Sequence, residues 1–238
     1  MSISFHPTPR TLMGPGPSDV HPRVLGAMAK ATIGHLDPEF IALMEDIKDL
    51  LRYTFRTENK LTLPLSAPGS AAMEASFANL VEAGDKVIVC INGVFGMRMA
   101  ENVRRMNGEL VTVEDEWGTQ ADPEKVEAAL KANPDAKILA FVHAETSTGV
   151  RSDAQTLCAL AEQYGCLSIV DSVTGLAGIE LEVDAWKADV TYSGTQKCLS
   201  APPGISLITF SDKAAAQVKA RNTPVQSWFL DLSLLMAY

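Results

Sequence analysis

From residue 61 onward the sequence alternates short apolar runs with amphipathic stretches, and that alternation constrains the fold more than any other feature. The runs are LTLPLS, KVIVCI (86–91), GELVTVE, AKILAFVH (136–143), CLSIVD (166–171), ADVTYSG (188–194) and GISLITFS (204–211). Most are apolar throughout rather than apolar at every second residue, as strands covered on both faces must be. Between them lie helix-like segments: AAMEASFANLVEA ended by Gly84, Met97–Met106 ended by Asn107-Gly108, KVEAALKA opened by Asp122-Pro123-Glu124, and Ser152–Tyr164. Short apolar strands alternating with amphipathic helices through brief turns predict an α/β domain with a mostly parallel sheet flanked by helices.

The first 36 residues read differently. HPTPR and GPGPSDVHP are rich in turn formers and predict an extended N-terminal arm, with Ser18 or Asp19 capping a short helix through Val24–Ala31. Asp37-Pro38-Glu39 then opens a strongly amphipathic helix over 37–55, expected to bury one face against the domain or a partner subunit. The expected organisation is an arm and short helix over 1–36 and one large domain over 37–238.

Composition narrows the function. Lys and Arg number 20 against 29 Asp and Glu, a net charge of −9, and no basic cluster occurs, so a nucleic-acid partner is not expected. No apolar run approaches the roughly 18–20 residues of a membrane span. MSISFHPTPR lacks a secretory pattern, so a cytoplasmic location is expected. Cys90, Cys158, Cys166 and Cys198 form no CxxC pair, and His6, His21, His35 and His143 have no zinc-type spacing, so neither a disulfide scaffold nor a metal site is expected.

In open parallel sheets ligands lie beyond the carboxyl ends of the strands. Those ends here carry Gly69-Ser70-Ala71, the NGVFG segment with Phe95 in a Gly-flanked loop, Thr146, Asp171 with Val173, and Gln196-Lys197. Asp171 and Lys197 both follow apolar strands, where a lone charge is costly. A carboxylate and an amine from such positions suit pyridoxal phosphate: the lysine forms the Schiff base and the carboxylate keeps the pyridine nitrogen protonated. A structural Asp–Lys ion pair fits the two residues equally well. Gly69-Ser70-Ala71 at a helix start favours a phosphate but also describes an ordinary turn, and Phe95 fits either a ring-stacking position or the core.

The segments VDSVTGLAG and YSGTQKCLSAPPGISLITFS, with a 26-residue separation of Asp171 and Lys197, resemble the cofactor-lysine region of class V pyridoxal-phosphate-dependent aminotransferases. The alanine–glyoxylate and serine–pyruvate (serine–glyoxylate) group is the nearest. LMGPGPSDVHPRVL, GHLDPEF, SAPGSAAMEA, NGVFG and ETSTGV match that group in the same order, so the resemblance covers essentially the whole chain. It implies the large domain of the fold-type I transferases and pyridoxal 5′-phosphate as cofactor. It also implies transfer of an amino group from alanine or serine to glyoxylate or pyruvate, and a homodimer with the arm reaching over the second subunit.

By residue, the resemblance makes Lys197 the Schiff-base lysine and proton-transferring base, and Asp171 the partner of the pyridinium nitrogen. Phe95 and Val173 would pack on the two ring faces, and Thr146 would meet its polar edge. Gly69, Ser70, Ala71 and Gln196 would hold the phosphate, and Gly16 would lie near the substrate carboxylate. Family members continue past SWFLDLSLLMAY into a small domain that carries the substrate-binding arginine, so the chain is expected to be C-terminally shortened. A desulfurase or other lyase of the same fold is the main alternative, although Gln196 stands where such enzymes place a His. A shortened protein that binds cofactor without turnover is the other.

Overall fold

The structure is a computed structural model that describes residues 4–237. An exposed arm leads to α1 (Pro22–Met28) and α2 (Pro38–Phe55). The α/β domain then runs β1 (Leu61–Leu65), α3 (Gly69–Leu80), β2 (Lys86–Ile91), α4 (Val94–Arg105), β3 (Glu109–Glu114), α5 (Pro123–Ala132) and β4 (Ile138–Val142). A two-residue hairpin of β5 (Ala144–Glu145) and β6 (Val150–Arg151) follows. The chain continues through α6 (Ala154–Gln163), β7 (Leu167–Asp171), β8 (Val190–Gly194), β9 (Ser206–Phe210), α7 (Asp212–Lys219) and α8 (Leu232–Ala237).

Seven strands form one sheet in the order β1-β9-β8-β7-β4-β2-β3. Every pairing from β8 to β3 is parallel, while β9 is antiparallel to both of its neighbours. The α/β class and the mostly parallel sheet agree with the sequence reading. Side-chain alternation splits the core in two. Ile138, Ala140 and Val142 join Phe77, Met99 and Tyr192 on one face, and Leu139 and Phe141 join Leu130, Leu157 and Trp186 on the other.

Several boundaries moved for identifiable reasons. His21, not Ser18 or Asp19, caps α1: its Nδ1 accepts from the Arg23 amide at 3.1 Å. Ser18 is engaged elsewhere, donating from Oγ to the Lys197 carbonyl at 2.9 Å. Helix α3 stops at Leu80 rather than running toward Gly84, because Val81 turns extended and Arg221 donates to the carbonyls of Asn79 and Val81. Asp37 caps α2 as expected, yet only the last turns dock. Leu51 and Phe55 are buried, while Ile41, Leu50 and Tyr53 are 51%, 64% and 70% exposed. The segment after Asp231 forms α8, tied to α3 where Asn79 Oδ1 accepts from the Leu232 amide at 2.9 Å; Tyr238 lies outside the described residues. Among the described residues no helix is long and apolar enough to cross a membrane.

Candidate active site

Asp171 is the last residue of β7 and is 2% exposed. Its Oδ1 accepts from the Val173 amide and its Oδ2 from the Tyr192 hydroxyl, each at 2.9 Å. Burial pushes the carboxyl up to about 6 despite those two donors. Tyr192 on β8 is fully buried, and burial together with the Asp171 charge raises its hydroxyl well above the ordinary phenol range, so it remains a donor. Lys197 stands in the turn after β8, half-buried. Burial lowers its amine against the opposing pull of Asp171, which favours a neutral nucleophile. Among the described residues no salt bridge joins Asp171 to Lys197, so the two are not the ion pair that the sequence left open; Val173 and Tyr192 hold the carboxylate instead.

The arm closes over this lysine from within the same chain. The Ser18 amide donates to the Gln196 carbonyl at 3.2 Å, and a Cβ on Gly16 would stand 2.4 Å from Lys197 Cδ. Gly16 also has φ +143, so only glycine suits the place on either count.

Next to the lysine lies a cradle. Helix α3 opens on Pro68-Gly69, and proline supplies no side-chain acceptor for the amides of the first turn. The Ala71 amide already donates to the Pro68 carbonyl at 2.8 Å, so the helix start offers the amides of Gly69 and Ser70 and the exposed Ser70 hydroxyl. A Cβ on Gly194 would lie 2.8 Å from Gln196 Oε1 and 3.5 Å from Gly69 Cα, so the missing side chain leaves this space open. Gln196 Oε1 is buried with no hydrogen-bond partner among the described residues. The amides of Gly69 and Ser70 at this uncapped helix start are what a phosphate completes. The Gln196 side chain, whose oxygen has no donor to hold it in place, is free to turn its NH2 toward the same anion. The side chains present therefore fit pyridoxal phosphate: an acid at one end, an amine in the middle and an anion cradle at the other.

Phe95 is not in a loop. Helix α4 begins at Val94, three residues before the expected start, and places Phe95 in its first turn. The early start is possible because acceptors arrive from the β5–β6 hairpin. The Val94 amide donates to Ser147 Oγ at 3.0 Å and the Phe95 amide to Glu145 Oε2 at 3.1 Å. The Phe95 ring packs at the edge of the core that contains Val173 and carries the Arg98 guanidinium 4.7 Å from its centroid. Thr146, on the same hairpin, makes a short hydroxyl contact with Thr174, the neighbour of Val173.

Of the residues named from sequence, Asp171, Val173, Gly69, Gln196, Lys197 and Gly16 meet directly or through one intermediate residue. Phe95 and Thr146 join through the hairpin, and Ser70 stays exposed. Tyr192, Glu145, Ser147 and Thr174 were missed. A tyrosine in an apolar strand does carry a signal, since its hydroxyl needs a partner once buried. His143 shares the face of Leu139 and Phe141, edge-on to Trp186 at 5.6 Å; burial lowers it to about 4 and keeps it neutral. Burial pushes the thiols of Cys90 and Cys158 up to about 12, and Cys198 Sγ donates to the Thr174 carbonyl at 3.2 Å. No group of three or more His, Cys, Asp or Glu is placed to hold a metal among the described residues.

Comparison with known proteins places these features in context. Residues 13–224 match the family model described as Aminotransferase class-V. An alanine–glyoxylate aminotransferase of Rattus norvegicus is 41% identical over 226 residues, 95% of this chain and 54% of the rat protein. A crystal structure of an alanine–glyoxylate aminotransferase from Nostoc sp. superposes with TM-score 0.96 at 43% identity, covering 100% of this chain and 63% of that one. The ureidoglycine–glyoxylate aminotransferase of Bacillus subtilis gives TM-score 0.97 at 38% identity, covering 99% and 61%. The chain thus spans about half the length of the curated relatives it matches.

Proposed function

The chain belongs to the class-V aminotransferase family, and on that premise we propose that it binds pyridoxal 5′-phosphate and transfers an amino group from alanine or serine to glyoxylate or pyruvate. The observation that carries this reading is the joint placement of buried Asp171, half-buried Lys197 and the uncapped start of α3 with the Gln196 side-chain amide beside it. Bound pyridoxal phosphate supplies an aldehyde that takes up an amine and a ring that withdraws electrons from it. The protein does the rest.

Lys197 Nζ, whose amine burial shifts toward the neutral form, would accept a proton from the substrate α-carbon and hold it for return. Asp171, oriented by the Val173 amide and the Tyr192 hydroxyl, would hold the pyridine nitrogen of the cofactor through its charge. Gly69, Ser70 and Gln196 are assigned to the phosphate, Phe95 and Val173 to the ring faces, and Thr146 to the polar edge; Ala71, whose amide is taken by the Pro68 carbonyl, lines the helix start without donating. Gly16 leaves room for the substrate carboxylate beside Lys197. Residues 37–238 are assigned as the cofactor-binding domain, with 1–36 as an arm. A second copy of the chain is assigned to the uncovered apolar side chains of α1 and α2, where Leu25, Met28, Ile41 and Leu50 are exposed.

Spectroscopy tests the reading. The purified chain should take up the cofactor and turn yellow, and borohydride followed by peptide mapping should place the label on Lys197. Adding alanine should discharge the visible band, and glyoxylate should restore it. A chain that stays colourless in excess cofactor, or a Lys197→Ala variant with undiminished amino transfer, would overturn the proposal.

A further inference from the structure

We propose that Glu145 is a positioning residue for this site. Its carboxylate fixes the start of α4, and with it Phe95, relative to the hairpin that carries Thr146. This rests on the cofactor reading above, in which neither Glu145 nor Ser147 has a role.

Glu145 is 1% exposed, and among the described residues it forms no ion pair. Its oxygens are instead filled by uncharged donors. Oε2 accepts from the Phe95 amide at 3.1 Å, and Oε1 accepts from the Ser147 amide at 3.0 Å and the Ser147 hydroxyl at 2.7 Å. Ser147 Oγ in turn accepts from the Val94 amide at 3.0 Å. Two consecutive first-turn amides of α4 are therefore satisfied from the hairpin, and the carboxylate charge sits at the positive end of the helix dipole.

Helices α2, α5, α6 and α7 are capped locally by Asp37, Asp122, Asp153 and Ser211, each bonding an amide two or three residues on. An aspartate or serine at position 93 would serve α4 in the same way. The chain has Gly93 there instead, and a Cβ would stand 2.3 Å from Glu145 Cγ, 2.5 Å from its Cδ and 2.7 Å from Ser147 Oγ. Giving up the local cap makes room for one from 50 residues away. A local cap would stabilise the helix and nothing more. The remote one ties the exit of β2, which carries Phe95, to the exit of β4, which carries Thr146. Both residues would otherwise sit on the segments most free to shift, a helix first turn and a hairpin loop.

The test uses the full chain with Glu145→Gln, Glu145→Ala, Gly93→Ala and the double variant, each titrated with pyridoxal phosphate. Gln keeps the shape but turns an NH2 toward donors, so Glu145→Gln should remain folded and labelled by borohydride at Lys197. It should bind the cofactor roughly tenfold more weakly, the scale of one lost hydrogen bond to a charged group. It should also lose most of the visible circular dichroism of the bound cofactor, a readout of ring orientation that a general loss of stability does not move. Gly93→Ala should reproduce that signature by pressing on the carboxylate from the other side, and the double variant should be no worse than Glu145→Ala. Should Glu145→Ala not fold, Glu145→Gln and Gly93→Ala decide the matter. Wild-type affinity and dichroism in Glu145→Gln would overturn this inference alone. A wild-type chain that takes up no cofactor would overturn the proposed function and this inference together.

Discussion

Helices α3 and α4 start at the same edge of the same sheet, each a few residues beyond a strand, and the chain treats the two starts in opposite ways. At α4 the first amides are met by Ser147 and Glu145, so the positive end of the helix is neutralised by a carboxylate of the protein itself. At α3 the cap residue is Pro68, no side chain caps the first turn, and the Gln196 side-chain amide beside it is not held by a donor on its oxygen, leaving its NH2 free to turn to an anion. Two equivalent electrostatic features thus have different uses. The filled one is a rigid platform independent of ligand, and the open one is where an anion from outside completes the structure.

The largest test of that contrast is removal of the internal anion. Glu145→Ala leaves the Phe95 and Ser147 amides unsatisfied and opens a cavity, and should destabilise the cofactor-free chain by about 4 kcal/mol in urea unfolding. Gly93→Ala, which pushes on the same carboxylate, should cost about 2 kcal/mol. Ser70→Ala, at the open helix start, should stay within about 0.5 kcal/mol. Equal losses at the two starts would mean that the first turn of α3 is held internally after all.

A second carboxylate sharpens the point, since Asp171 is buried at this edge without a helix start to offset its charge. Its folded-state value near 6 exceeds the unfolded value of 3.8. Between those values the folded chain holds one proton more than the unfolded chain, so stability falls as pH rises from about 4 to about 6 and then levels off. The cost at neutral pH is about 3 kcal/mol at most. Subtracting the pH profile of Asp171→Asn from that of the wild-type chain, both without cofactor, should recover a downward step across this window. A flat difference would mean that Val173 and Tyr192 fully offset the burial.

Inorganic phosphate probes the open start directly. At ten times its dissociation constant it should stabilise the wild-type chain by about 1.4 kcal/mol. Glu145→Gln should keep that increment, and Gln196→Leu should lose it. Protection that survives Gln196→Leu would place the anion elsewhere.

How far the sequence revealed these features depended on how local their causes are. The strands were legible because burial on both faces writes an unbroken apolar run, and Asp37 and Asp122 marked their helices because each caps its own first turn. Asp171 and Lys197 were legible as costly charges following apolar strands. The start of α4 was not, because its acceptors lie 50 residues downstream, and the end of α3 was not, because Arg221 reaches it from beyond β9. The β5–β6 hairpin pairs only two residues per strand and leaves no periodicity to read. Tyr192 lies within an apolar strand, and only the structure shows its hydroxyl on Asp171. Long-range hydrogen bonds to short polar side chains leave little trace in a pattern of apolar residues.

The smallest expected effect discriminates most finely. Gly69 and Gly93 both stand at helix starts on this edge, and sequence alone gives no reason to treat them differently. A Cβ on Gly69 would lie 3.4 Å from Val173 Cγ2 and 3.7 Å from Gly194 Cα, ordinary contacts that require nothing to move. Alanine also restricts the unfolded chain more than glycine does, a small gain that offsets any crowding. Gly69→Ala should therefore leave the stability of the free chain within about 0.5 kcal/mol of wild type. The same methyl group narrows the space beside Gly194 and Gln196, so the increment from added phosphate should shrink. Stability held constant with anion protection reduced is the signature of a helix start kept open for a ligand. A loss as large as that of Gly93→Ala, with phosphate protection unchanged, would show that the two starts are built alike.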